Sequence, residues 1–326
     1  MKTGAHHRRR QHQSHAQSSL HQYRDYIFLI IPAHALDHKL LSSAKFFFES
    51  AKLDGVTRRS LFLSGAAATA TLGGYAGFIE KWRVEVTHTR IALPGLPRPM
   101  RLVHLSDLHL GSAIALHHLH YVADLANAAH PDLICLTGDY VDYPDVGYDP
   151  AYQDVFRRLS QAAPSFATLG NHDGMHHRGE HLDHSQVRAR LSAGHIHLLH
   201  NDSTQFEGLN LVGVGDLWSL EVHPDQAFSR VAREGATVLL NHNPDAKELL
   251  IHHPWHLMLA GHTHGNQIHL PFLKHNPWAV VNDPRFIAGH YHWEGRQLHI
   301  NRGIGGLAGI RFNCRPEVSL LELVPS

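Results

Sequence analysis

Cysteine is nearly absent from this chain, with two residues in 326. That excludes a disulfide framework and leaves no thiolate set for a structural zinc site. Cys135 stands in an apolar run and reads as a small core residue; Cys314 stands in a polar stretch. Net charge is absent too. Lys and Arg number 29, as do Asp and Glu, so no overall field draws the protein to nucleic acid or to an anionic membrane. No specific nucleic-acid partner is expected. What the chain has in excess is histidine, 34 of them, so each needs a positional reason before it is read as a ligand. Hydrophobic residues make up 43%, enough for a sizeable core. The length suits one large domain or two small ones.

Residues 1–56 read as a basic, His-rich extension poorly suited to folding, opening with His6-His7-Arg8-Arg9-Arg10. The apolar patch Tyr26–Ile31 ends at Pro32, far short of the about 20 residues that span a bilayer. Residues 57–80 differ. Arg58 and Arg59 precede an acid-free run from Leu61 to Ile79, rich in Ala and Gly. This resembles a twin-arginine export signal, with Leu61 where Phe is more usual. Ala68-Thr69-Ala70 offers a cleavage site, and an uncleaved membrane anchor is the alternative. Gly65, Gly73, Gly74 and Gly77 weaken the reading as a soluble helix. The expected partner is then the twin-arginine export machinery, and the expected location the periplasm or the outer face of a bacterial cytoplasmic membrane.

From residue 81 to 326 the texture changes to a folded domain. Residues 83–91 alternate like an edge strand. Apolar strand-like runs follow at 101–106, 132–137, 165–169, 209–214, 237–240 and 256–260. Helical patterns are expected at 115–130, 152–163, 186–193, 226–233 and 246–252. Such alternation implies an α/β domain with helices packed on sheets. Runs at 297–301 and 318–324, with no helix between them, add an antiparallel portion.

The polar residues at the ends of these strands carry the chemistry. After 101–106 come Asp107 and His109. After 132–137 come Gly138 and Asp139. After 165–169 come Gly170, Asn171, His172 and Asp173. After 237–240 come Asn241 and His242, and after 256–260 come Gly261, His262, Thr263 and His264. Five strands thus end in residues of metal-ligand type, and α/β folds bind ligands at such ends. Imidazoles and carboxylates together suit Mn²⁺, Fe or Zn²⁺, and the number of ligands suits two ions. Two dications need a bridging anion, and Asp139 is a candidate. Water held between them becomes a hydroxide nucleophile near neutral pH.

Taken in order, Asp107-x-His109, Gly138-Asp139, Gly170-Asn171-His172-Asp173, Asn241-His242 and Gly261-His262-Thr263-His264 resemble the signature of the calcineurin-like metallophosphoesterase family. Gly215-Asp216-Leu217-Trp218, His242-Asn243-Pro244-Asp245 and Asn313-Cys314-Arg315-Pro316-Glu317 resemble the twin-arginine phosphodiesterases of the YaeI and YkuE type within it. The resemblance implies a two-sheet β-sandwich flanked by helices, with a dimetal site at the carboxyl ends of strands. It implies one ion held by Asp107, His109, Asp139 and His264, and a second by Asp139, Asn171, His242 and His262. His172 would protonate the leaving oxygen, and Asp173 would orient His172. Asn266 replaces the usual second glycine of the last motif. The cofactors implied are two divalent ions, manganese first.

The function implied is phosphodiester hydrolysis. Its rivals are a phosphomonoesterase or protein phosphatase of the same fold, a pyrophosphohydrolase of nucleotide-linked lipids, and a metal-binding protein without catalysis. The loop 174–184 is either a solvated loop or a substrate lip. Asp216 and Trp218 are either a substrate wall or core and turn. Arg302 is either a phosphate ligand or half of an ion pair.

Overall fold

A computed structural model describes residues 57–111, 114–142, 150–174, 183–232, 234–270, 280–306 and 309–326. The extension at 1–56 and most of the loop 174–184 lie outside these residues. The chain forms two units, Met1–Gly74 and Tyr75–Ser326. Helix α1, Arg58–Phe78, has 21 residues and so a length of about 31 Å. The Thr57 hydroxyl caps its start, accepting from the Ser60 N–H at 3.1 Å. Thr69 and Thr71 donate back to the Gly65 and Ala67 carbonyls, each at 2.9 Å. The span Arg59–Trp82 is long and apolar enough to cross a membrane.

The second unit is built on two six-stranded sheets. The first holds β1 (Glu85–Leu93), β2 (Met100–Leu105), β3 (Leu133–Thr137), β4 (Ser165–Thr168), β5 (His197–Leu198) and β12 (Glu317–Pro325), in the order β1-β12-β2-β3-β4-β5. The second holds β6 (Asp202–Phe206), β7 (Leu209–Gly213), β8 (Thr237–Leu240), β9 (Leu257–Ala260), β10 (Gly289–Trp293) and β11 (Arg296–Ile300), in the order β10-β11-β9-β8-β7-β6. Within the sheets β2, β3 and β4 run parallel, as do β7, β8 and β9. The antiparallel pairs are β12–β2, β10–β11 and β6–β7.

Strand alternation builds two cores from one set of residues. On β2 and β3, Leu102, Leu133 and Cys135 point between the sheets, where they meet Leu211, Val238 and Leu257. Val103, Leu105, Ile134 and Leu136 point outward, against helices α2 (Leu116–Ala128), α3 (Pro150–Ala162) and α4 (Ser185–Ala193). Those helices bury Leu119, Val122 and Ala126, then Tyr152, Phe156 and Leu159, at helical spacing. Both cysteines are free and buried.

Two expected helices fall short. In place of 226–233 stands the four-residue helix α5, Pro224–Ala227. In place of 246–252 stands a 3₁₀ turn, Pro244–Glu248, because the Asn243 side chain caps the Asp245 N–H at 2.9 Å and starts the turn at a proline. The parallel strands β2, β3 and β4 of one sheet and β8 and β9 of the other end beside one another, and the polar residues gather there.

Candidate metal centre

The backbone at these strand ends is strained. Asp107, His109, Asp139, His262 and His264 have φ of 52°, 45°, 54°, 68° and 50°, the left-handed region that costs a non-glycine residue about 1 kcal/mol or more. Each turn aims its side chain off the strand and into one basin. Glycines let the turns meet. A Cβ on Gly138, itself at φ 88°, would lie 2.7 Å from the Gly170 Cα.

The basin holds two groups of ligand-type residues: Asp107, His109 and His264 in one, and Asp139, His242 and His262 in the other. All six are buried. Asp139 Oδ2 joins the groups, 3.1 Å from His242 Nε2 and 3.5 Å from His109 Nε2. His264 Nε2 is 3.5 Å from Asp107 Oδ1, and His262 Nδ1 is 3.3 Å from His242 Nε2. Two ligands each about 2.1 Å from a shared cation, at angles of about 90–110°, lie about 3.0–3.5 Å apart. The observed separations are of that size. His109 Nε2 and Asn171 Oδ1 are buried without a hydrogen-bond partner among the described residues, as ligand atoms would be. The residues present therefore fit a pair of divalent cations, and Asp139 is the carboxylate that both would share.

The surroundings orient these groups. His109 Nδ1 meets Asp142 Oδ1 at 3.0 Å, and His242 Nδ1 donates to the Thr137 carbonyl at 2.6 Å, so both rings present Nε2 to the basin. Asp107 Oδ2 accepts the His262 N–H at 3.1 Å. Burial pulls the His242 ring's pKa down, but the Asp139 and Asp107 carboxylates outweigh it and push the pKa well above the ordinary value. Burial and then the His242 charge hold His262 down to about 3, and burial alone dominates at His264, also far below the usual range. The basin thus gathers buried carboxyl and imidazole groups, a donor set for metal cations.

His172 is half-buried at the rim, its ring 4.9 Å from that of His109. Its N–H donates to Asp139 Oδ1 at 2.8 Å, and its Nδ1 donates to the Asp142 carbonyl at 2.9 Å. The expectation that Asp173 orients His172 is overturned. Both Asp173 oxygens are taken by backbone: Oδ2 accepts from the Asp139 and Gly170 N–H groups at 2.9 and 2.7 Å, and Oδ1 from the Tyr140 N–H at 2.8 Å. Asp173 shapes the turn that carries Asp139, and Asp142 orients His172. Sequence reasoning missed Asp142. Its signal was faint: an acidic residue three places after Asp139, whose roles run through a backbone carbonyl and a histidine far away in sequence.

Arg302 resolves as an ion pair, with Nε 2.8 Å from Glu317 Oε2 and one terminal nitrogen 2.8 Å from Glu85 Oε2. Arg311 was unsuspected. Its buried guanidinium donates to the carbonyls of Arg302, Gly303, Gly305 and Cys314, which ties down the loop backing Asp107 and His109. Asp216 is fully buried, with its Oδ2 accepting the Ser219 N–H at 2.7 Å. Trp218 stands edge-on to the His262 ring at 4.3 Å. Asn266 takes φ 60° and closes a turn through its N–H to the Thr263 carbonyl at 2.7 Å.

Two mixed sheets with two ligand groups at their shared strand ends define a metallophosphoesterase, a hydrolase. The chain belongs to the calcineurin-like phosphoesterase family, whose pattern matches residues 100–294. Among curated relatives it is 38% identical to the phosphodiesterase YaeI of Escherichia coli over 279 residues, 82% of this chain and all of that one. It is 29% identical to the uncharacterized metallophosphoesterase YkuE of Bacillus subtilis, over 81% of this chain and 95% of that one. It is 28% identical to the UDP-2,3-diacylglucosamine pyrophosphatase LpxG of Chlamydia trachomatis, over 68% and 83%. The family implies a binuclear divalent metal site.

Proposed function

We propose that the protein is a dimanganese phosphodiesterase, exported through the twin-arginine route and held at the outer face of the cytoplasmic membrane. The observation that carries the activity is the single carboxylate, Asp139, which belongs to one ligand group and also lies 3.5 Å from His109 of the other. Asp107, His109, Asp139 and His264 would hold one ion, and Asp139, Asn171, His242 and His262 the other. Two divalent ions supply positive charge to the phosphoryl group and acidify water. The chain's own part is positional. With Nδ1 of His172 committed to the Asp142 carbonyl, its Nε2 is the nitrogen that meets the substrate and passes a proton to the departing oxygen. The Asp139 Oδ1 contact with the His172 N–H keeps that histidine at a fixed distance from the bridge.

Diester over monoester is supported by the 38% identity to a phosphodiesterase and by the pairing of cations among the described residues. A monoester carries extra negative charge and calls for a free cation beside the metals. Arg302 is paired with two glutamates, and Arg311 is spent on four carbonyls. Lys247 is buried against Glu248 and the Phe286 ring. Export and anchoring are supported by Arg58 and Arg59 at the head of the apolar span Arg59–Trp82.

The test uses the full chain in detergent, loaded with Mn²⁺, on an aryl phosphodiester and the matching aryl phosphomonoester. At least tenfold faster diester turnover is expected. Faster monoester turnover would assign a phosphatase. Cleavage of a UDP-linked lipid with neither aryl ester touched would assign the pyrophosphatase reading.

A further inference from the structure

The turn from Gly215 to Glu221 is costly to build and is built rigidly. Asp216 sits at its base, fully buried, and accepts the Ser219 N–H at 2.7 Å while its carbonyl takes the Glu221 N–H at 3.0 Å. The Leu220 N–H closes onto the Leu217 carbonyl at 3.1 Å. Glu221 is pinned from outside: its carboxylate meets His184 Nε2 at 3.0 Å, and its carbonyl takes the Asn201 amide at 2.8 Å. Gly215 leaves no room for movement, since a Cβ there would lie 2.8 Å from the Glu221 Cβ.

Two side chains of this turn are spent on neither core nor hydrogen bonding. Trp218 is 43% exposed and Leu220 56% exposed. Leu220 also has φ 60°, a conformation a leucine adopts only at a cost of about 1 kcal/mol or more. Folding explains neither an exposed indole on a braced turn nor an exposed leucine in a strained one. Trp218 falls beside the metal centre, its ring standing at 84° on the ring of His262, 4.3 Å away, and Leu220 follows two residues later in the same turn. A half-exposed aromatic face fixed against a metal ligand is a contact surface for whatever the phosphoryl group carries on that side.

We infer that Trp218 and Leu220 form the specificity wall of the site, and that the substrate is a diester with an apolar alcohol, aryl or alkyl, on the His242–His262 side. This rests on the phosphodiesterase reading above. The wall does not touch the proton transfer at His172. It sets which alcohol is bound next to it, so its effect appears in the relative rates of diesters that share one leaving group. The strain at Leu220 is then the cost of presenting an apolar side chain to the substrate.

The experiment compares methyl, phenyl and octyl esters of p-nitrophenyl phosphate, with the full Mn²⁺-loaded chain in detergent. Wild type should favour the phenyl and octyl diesters over the methyl one by about tenfold in kcat/KM, chiefly through KM. Trp218→Ala should erase that preference, and Trp218→Phe should restore most of it. Leu220→Gly should lower the preference and raise Tm, because glycine relieves the positive φ. The phenyl and octyl arms distinguish an aryl from an alkyl occupant. An unchanged ratio in Trp218→Ala overturns the wall. So does an equal fall on all three esters, which would make Trp218 a brace for His262. If wild type cleaves none of the diesters, the phosphodiesterase reading fails and takes the wall with it; cleavage with a flat ratio sinks the wall alone.

Discussion

Replacing Gly261 by alanine separates ligand position from fold stability. The new Cβ would sit inside the van der Waals shells of Ser106 Oγ and Asp107 Oδ2, and 2.7 Å from the Ser106 Cβ. Carbon contacts are favourable from about 3.5 Å, so the carbon contact alone calls for a shift of about 0.8 Å. Catalytic groups tolerate about 0.5 Å, and a misplacement of about 1 Å costs about 100-fold in rate. Overpacking of this kind costs about 2 kcal/mol, or about 4–8 °C in Tm for a unit of this size. Adding Ser106→Gly removes two of the three contacts and leaves the one with Asp107. The assay is Tm, metal per chain and diester turnover on both variants. Gly261→Ala should lose about 100-fold in turnover, part of its metal and several degrees. The double variant should regain the degrees without the turnover. Recovery of turnover along with Tm would refute the claim that Asp107 is displaced as a ligand.

Asp139→Asn should abolish turnover and weaken both ions together, read by metal analysis across a manganese titration. His172→Ala should lower turnover by at least 100-fold with metal content unchanged; parallel loss of metal would place His172 among the ligands. A chelator should lower Tm by several degrees, because it strips cations from buried Asp107 and Asp139, and returning Mn²⁺ should reverse the loss. Burial holds the neighbouring rings of His299, at about 4, and of His104 well below the value near 6.5 of an unfolded chain. The unfolded chain then binds more protons, so this contribution to stability is complete above about pH 6.5 and lost as pH falls below it. Metal-free His299→Leu should therefore lose less stability than the metal-free parent between pH 7 and pH 5, measured by denaturant unfolding.

The candidate centre was legible because its ligand-type residues follow a repeated local pattern. An apolar strand, then Gly, Ser or Asn, then Asp or His, recurs on β2, β3, β8 and β9, and each ending can be read without knowing the others. The parallel strands were legible for the same reason, being buried on both faces. The edge strands β6 and β10 were not, since Asp202–Phe206 and Gly289–Trp293 are only partly buried and carry polar residues. Asp173 was misread because proximity in sequence to His172 suggested a contact that the turn geometry directs to three amides instead. Asp142 and Arg311 escaped notice because they act on residues brought near only by the packing of loops, through carbonyls no sequence pattern marks.

The most direct test of the dimetal assignment is diester turnover followed against manganese bound per chain, in full-length protein loaded stepwise from the metal-free state. Turnover should appear only as the second ion binds, saturate at two per chain, and be absent from Asp139→Asn at any loading. Full turnover with one ion per chain, or undiminished turnover in Asp139→Asn, would contradict a centre bridged by that carboxylate.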